Sequence, residues 1–352
     1  MTTIPHPARI TDNGGRIVAL DVIRGVALCG IILVNIGPLT RFGAAAGLFE
    51  LASLDNPSGW LQLLVQQRFF PIFALLFGIG FSIFLESAAR NAARPRLLLL
   101  RRLLLLLAIG IPFNILQPGA ALLPFAIVGL VILLPSTWLP RGLSAIAAAV
   151  FIVGSILLAD GGLTLIPGMF LLGSALTRYG VVPAIGRSRR GSVVALIVFT
   201  TLAIPLTLWQ ATTIEMSGFG VQSAAAGLAT AGVYVSLISL LMTTGAARVL
   251  AAAFSPLGKM ALTNYIAAAP LMLLAAAFLD LPQGTSWTLL FATAVMVLVL
   301  QWAASALWLR YFTQGPFEWL WRWGTWGSRR PLRRQLASPD GVSISRINSQ
   351  PS

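Results

Sequence analysis

Residues 19–38 read ALDVIRGVALCGIILVNIGP, and how that stretch is read decides the fold. Its length and apolar bulk suit one bilayer crossing, which takes roughly 20 residues of helix. Yet it opens with Asp21 and Arg24 and carries Asn35 near its far end. In hydrocarbon each such group costs on the order of a few kcal/mol unless it is paired or sits at an interface. On a helix, Arg24 and Asn35 stand ~16 Å apart and ~20° apart in direction, with Asp21 within ~60° of Arg24. One polar stripe therefore joins the inner mouth of the span to the outer third of the membrane. Anchoring alone accounts for its lower part, because Asp21 complements the helix N-terminus and Arg24 snorkels to the headgroups. Asn35 needs a partner, either on a neighbouring helix or on a ligand.

Working outward, 57% of the 352 residues are hydrophobic and 10% charged, too few polar side chains to clothe a soluble surface. The expected fold class is an all-α polytopic membrane protein. Ten apolar runs of span length fall near 18–38, 65–85, 97–116, 119–136, 142–159, 162–178, 191–210, 222–243, 258–279 and 286–308. The sixth is short and broken by Pro167 and Gly168. With this count, Arg90, Arg94, Arg96, Arg141, Arg178, Arg187, Arg189, Arg190, Arg248 and Lys259 share one side, and Arg41, Asp55, Asp160, Glu215 and Asp280 the other. Basic loops stay in the cytoplasm, so both termini are expected there. Residues 1–16 read as a cytoplasmic tail, 17–327 as a single membrane domain, and 328–352 as a basic tail lying against anionic lipid headgroups.

Composition also excludes chemistry. The net charge of +14 is spread over alternate loops and forms no aromatic-interleaved groove, so the partner is the bilayer and not a nucleic acid. The sole cysteine, Cys29, lies inside the first span, and the sole histidine, His6, in the N-terminal tail. No zinc cluster and no Ser/His or Cys/His pair can be assembled within the membrane.

The remaining polar residues suggest two groups. Near the outer face, Gln66, Gln67 and Arg68 at the start of the second span, with Asn114 and Gln117 at the end of the third, lie level with Asn35. Near the inner face, Arg101, Arg102, Lys259, Thr263, Asn264 and Gln301 lie level with Asp21 and Arg24. Gly78 and Gly80 of LLFGIGFS are expected to let helices approach closely. FEWLWRWGTW, residues 317–326, has four tryptophans with Glu318 and Arg322 at i and i+4, the pattern of a short helix lying in the interface as an aromatic anchor.

Four stretches carry a resemblance: LDVIRGVALCGIILVNI, FFPIFALLFGIGF, GKMALTNYI and GPFEWLWR. In order and spacing they resemble the YeiB-like family of bacterial membrane proteins, domain-of-unknown-function family 418. The opening motif is also similar to that of the heparan-alpha-glucosaminide N-acetyltransferase group of transmembrane acyltransferases. That likeness implies a multi-pass protein of the bacterial inner membrane that moves an acyl group from a cytoplasmic thioester such as acyl-CoA to an acceptor across the bilayer. It implies roles for Asp21, Arg24 and Gly25 in the entrance motif and for Asn35 at the reaction centre. The histidine those enzymes carry after the asparagine is absent here. Arg24, Arg101 and Arg102 would hold the donor's phosphates, Asn35 the thioester carbonyl, and Glu50 or Asp55 is the candidate base. No other cofactor and no metal is expected. The alternative is a small-molecule transporter, with Gln66, Arg68 and Asn114 outside and Asn264 and Gln301 inside lining its path.

Overall fold

The computed structural model describes residues 17–47, 52–215, 218–327 and 332, and no β-strand occurs among them. Lipid offers no partner for backbone N–H and C=O groups, so each crossing must satisfy them within itself. Eight helical segments are long and apolar enough to cross a membrane: α1 (Val18–Thr40), α2 (Pro57–Leu64) continued by α3 (Phe69–Asn91), α4 (Pro95–Leu116), α6 (Arg141–Ala159), α8 (Arg189–Ala211), α9 (Val221–Leu241), α11 (Ala261–Leu279) and α12 (Trp287–Tyr311). Two shorter apolar segments, Leu122–Trp138 and Gly162–Arg178, complete the set; they begin with α5 (Leu122–Val128) and end with α7 (Ile166–Arg178), respectively. The ten expected runs are thus all helical, two of them short. Two amphipathic helices, α10 (Ala247–Lys259) and α13 (Pro316–Trp326), flank the last crossings. The tails, with His6, and Glu50 lie outside the described residues.

The segments alternate in direction, as contacts between their ends demonstrate. At one end Arg96 donates to Thr137, Arg178 donates to Ser144 Oγ and the Leu139 carbonyl, and Gly186 abuts Ala19 and Met242. At the other, Gly43 and Ala45 donate to the carbonyls of Leu281 and Pro282, and Gly162 donates to Gln67. The first is the basic end, holding the starts of α1, α4, α6 and α8 and the end of α10 together with α13. Asp160 and Asp280 close helices at the opposite end.

Two backbone-to-backbone crossings hold the centre. A Cβ on Gly258 would fall 1.8 Å from the Asp21 carbonyl oxygen and one on Gly25 2.1 Å from that of Phe254, so α1 and α10 meet where only glycine fits. Gly78 of α3 and Gly173 of α7 form a second such contact. Gly80 departs from expectation: nothing lies within 4 Å of where its Cβ would be. It borders a cavity and not a helix.

Candidate functional site

The crossing of α1 and α10 positions the first cation. With Gly25 and Gly258 in contact, the Arg24 guanidinium lies 3.3 Å from Asp21 Oδ1 and 3.5 Å from the Gly258 carbonyl. Asp21 is 3% exposed, and the adjacent guanidinium gives that buried carboxylate an ion-pair partner. Lys259 follows Gly258 directly, and α10 breaks at Met260 before α11 begins.

That break leaves the first N–H groups of α11 without intrahelical acceptors, and α13 supplies one. The Glu318 carboxylate accepts from Leu262 N–H at 2.7 Å and Thr263 N–H at 3.1 Å and also from the Thr263 hydroxyl. Here the Trp-rich helix departs from the anchor expected of it: it turns its acidic residue into the bundle as the cap of another helix. Trp321 donates to the Arg102 carbonyl at 2.7 Å, and its ring lies under the Arg102 guanidinium at 3.8 Å. Phe84 flanks the same cation at 4.7 Å, a favourable face-on arrangement.

These elements enclose a cavity of about 370 Å³ at the basic end. Arg24, Arg102, Lys259 and Arg322 line its mouth; Phe73, Phe77, Phe81, Phe125, Leu106 and Leu122 line its depth. Glu318 contributes a carboxylate to its wall, and that group is engaged with α11. The space is therefore electropositive at the rim and apolar within, complementary to a ligand with an anionic head and a hydrocarbon tail. Gly80 keeps it open.

Tyr265 forms the far wall. Its hydroxyl accepts from Ala121 N–H at 3.1 Å, and its ring packs against Phe73 and Phe113. It also lines a second cavity, of about 100 Å³, reached from the opposite end and bordered by Asn35, Gln67 and Gln117. A third space of about 430 Å³ adjoins it at Val34 and holds Gln62, Gln66 and Arg41. The Tyr265 side chain thus stands between spaces belonging to the two ends.

The structure sorts the expected residues. Asp21, Arg24 and Arg102 meet at the basic cavity, whereas Arg101, the preceding residue on α4, is exposed on the outside of the bundle. Asn264 and Gln301 are buried away from it: Asn264 donates to Ser305 Oγ at 2.9 Å and Gln301 donates to the Asn264 carbonyl at 2.8 Å, knitting α11 to α12. Arg68 is fully buried, and its guanidinium donates to the Gln66 carbonyl and to Gln210 Oε1. It ties the α2–α3 junction to the end of α8. Gln66 borders the adjoining outer space, and Asn114, half-buried, lines none of these three cavities. Asp55 is exposed and bonded within its own loop to Ser53. Among the described residues no group of three His, Cys, Asp or Glu side chains is placed to hold a metal. Tyr265, Gln210 and the capping role of Glu318 escape the sequence; Tyr265 sits inside GKMALTNYI, but the spacing of that motif does not show which way its ring points.

Comparison with known proteins gives three full-length likenesses. The product described as "Uncharacterized 39.9 kDa protein in amylase 3'region" from Bacillus acidopullulyticus is 29% identical over 337 residues, covering 90% of this chain and 96% of its own. A family profile described as "Protein of unknown function (DUF418)" matches residues 176–328. This segment of the chain thus resembles the DUF418 family. The uncharacterized DUF418 proteins YeiB of Escherichia coli (strain K12), 28% identical over 87% of this chain and 95% of its own, and YxaH of Bacillus subtilis (strain 168), 25% identical over 92% and 98%, extend the likeness across the N-terminal half. No solved structure matches the chain. The profile spans the end of α7 and all of α8 to α13, so the break at Met260, Tyr265 and the Glu318 cap all fall within the matched segment.

Proposed function

We propose that this protein is a transmembrane acyltransferase of the bacterial cell membrane, with its basic end in the cytoplasm. An anionic acyl donor, of which acyl-CoA is the soluble form, enters the basic cavity. One observation carries the proposal: a cationic rim opens on an aromatic shaft that ends at Tyr265, and the cavity of the opposite end stops at the same side chain. Arg24, Arg102, Lys259 and Arg322 take the phosphates, guanidinium forks being well matched to them. The apolar shaft takes the acyl chain. The acceptor hydroxyl comes from the other end; its oxygen bonds the acyl carbon, the carbon–sulfur bond breaks, and the hydroxyl proton ends on the departing sulfur. Asn35 and Tyr265 are the donors nearest the developing oxyanion, a role worth 10²–10³ in rate per donor, roughly.

The test is a melting titration of the protein in lipid nanodiscs with palmitoyl-CoA, acetyl-CoA, free CoA and dioleoyl phosphatidic acid, followed by an assay of thiol release. A ligand that binds only the folded state raises its stability by mass action. Palmitoyl-CoA should raise the melting temperature more than CoA, with the gain reduced in Arg102→Leu. An equal or larger gain with phosphatidic acid and no thiol release would assign the cavity to a membrane lipid instead. The same partition supports a second function, passage of a small solute. In that case Tyr265→Ala would speed solute flux into proteoliposomes, whereas a transferase loses turnover without becoming leaky.

A further inference from the structure

We infer that the cavity at the opposite end is a binding site for an uncharged polyhydroxylated compound, a sugar or polyol head. Three carboxamides converge on it, and the protein satisfies none of them fully. Gln67 is 6% exposed, and its backbone is held in the left-handed region at φ 58°. Its Oε1 accepts from Gly162 N–H at 2.9 Å. Because that N–H needs an acceptor, the amide can face only one way, and Nε2 is left buried without a partner among the described residues. The residue cannot drift from this pose: a Cβ at Gly227 would fall 2.5 Å from the Gln67 carbonyl oxygen, and one at Gly161 2.5 Å from its Oε1. A non-glycine residue kept at positive φ by surrounding structure is a feature concentrated at ligand sites. Asn35 and Gln117 line the same space, and their side chains make no hydrogen bond to any described residue.

The ligand class follows from what the wall offers. A carboxamide presents two donors and an acceptor, and a hydroxyl, itself donor and acceptor, answers both. Among the described residues no charged side chain lines this cavity, so a charged group inside it would find no counter-ion and would lose its hydration. Phe69 and Phe70 provide flat apolar faces suited to the C–H side of a polyol. A space of about 100 Å³ holds about three waters at ~30 Å³ each, or one hydroxylated unit of a few carbons. Anything larger extends past Val34 into the adjoining space, where Gln62 and Gln66 continue the line and Gln62 Oε1 is likewise buried without a partner among the described residues.

This site is independent of the acyl-transfer proposal, since it is tested with no donor present. The experiment is saturation-transfer NMR on the protein in lipid nanodiscs with glycerol, glucose, glycerol 3-phosphate and glucuronate as probes. Saturable transfer is expected to glycerol or glucose and not to their charged counterparts. Asn35→Leu and Gln117→Leu should each weaken it roughly tenfold, the loss typical of one hydrogen bond, while melting close to wild type because neither amide bonds to a described residue. The inference is overturned if neither neutral probe gives saturable transfer, which leaves water as the occupant. It is equally overturned if charged and neutral probes bind alike, or if both leucine variants bind as wild type does.

Discussion

Arg24 and Asn35 share a stripe on α1, yet they face different spaces and should respond differently to substitution. Arg24 touches Asp21 and the Gly258 carbonyl while bordering the basic cavity. A lysine reaches the headgroups equally well but cannot form the planar fork that grips a phosphate. Arg24→Lys is therefore expected to insert and fold while losing at least part of the melting shift given by palmitoyl-CoA; an unchanged shift would reduce Arg24 to an anchor. Asn35→Ala removes no hydrogen bond to a described residue, so its melting temperature should stay close to wild type. If Asn35 serves the oxyanion, turnover per folded molecule should fall by roughly 10²–10³. The stripe itself is legible in the sequence, because helical periodicity places residues around an axis. What each polar group touches is not, since that depends on how neighbouring helices are rotated. Arg101 and Arg102 make the point: adjacent in sequence, they diverge by ~100° on α4, and only Arg102 reaches the cavity.

Elements meet at glycines whose roles the sequence does not distinguish. At Gly258 the Asp21 carbonyl leaves no room for a methyl, so Gly258→Ala must force α1 and α10 apart. A loss of about 1–3 kcal/mol is expected for overpacking, measured by chemical or thermal unfolding in nanodiscs. Gly78 belongs to the same class. Gly80, two residues on, faces open space; Gly80→Leu should keep wild-type stability while filling the aromatic shaft and reducing palmitoyl-CoA binding more than acetyl-CoA binding. A Gly80→Leu protein that unfolds instead would make that position a packing contact after all. Glu318 illustrates a different limit on legibility. The i and i+4 arrangement with Arg322 suggests a local pair, whereas the carboxylate serves the N-terminus of α11, far away in sequence. Caps that come from another helix leave no local pattern.

Across the whole molecule, apolar length suffices for the order of the long apolar helices and of the two shorter ones between them. The two shorter apolar segments are the hardest to read, since 122–138 contains a π turn and 162–178 begins in a 3-10 turn. Side assignment can be checked by cysteine labelling of intact cells in a Cys29→Ala background. Asp160→Cys and Asp280→Cys, both exposed at the end opposite the basic loops, should react with an impermeant maleimide, while Glu86→Cys should react only after the membrane is opened. The reverse pattern would invert the molecule and place the cationic cavity outside the cell. The cap on α11 has a further consequence for biogenesis. A chain emerging N-terminus first completes α11 well before residue 318 is made, so the first turn of that helix waits uncapped, and the basic cavity waits without Arg322, until α13 has been translated. Closure of that site is then tied to synthesis of α13, and a nascent chain arrested before it would leave the basic cavity unfinished.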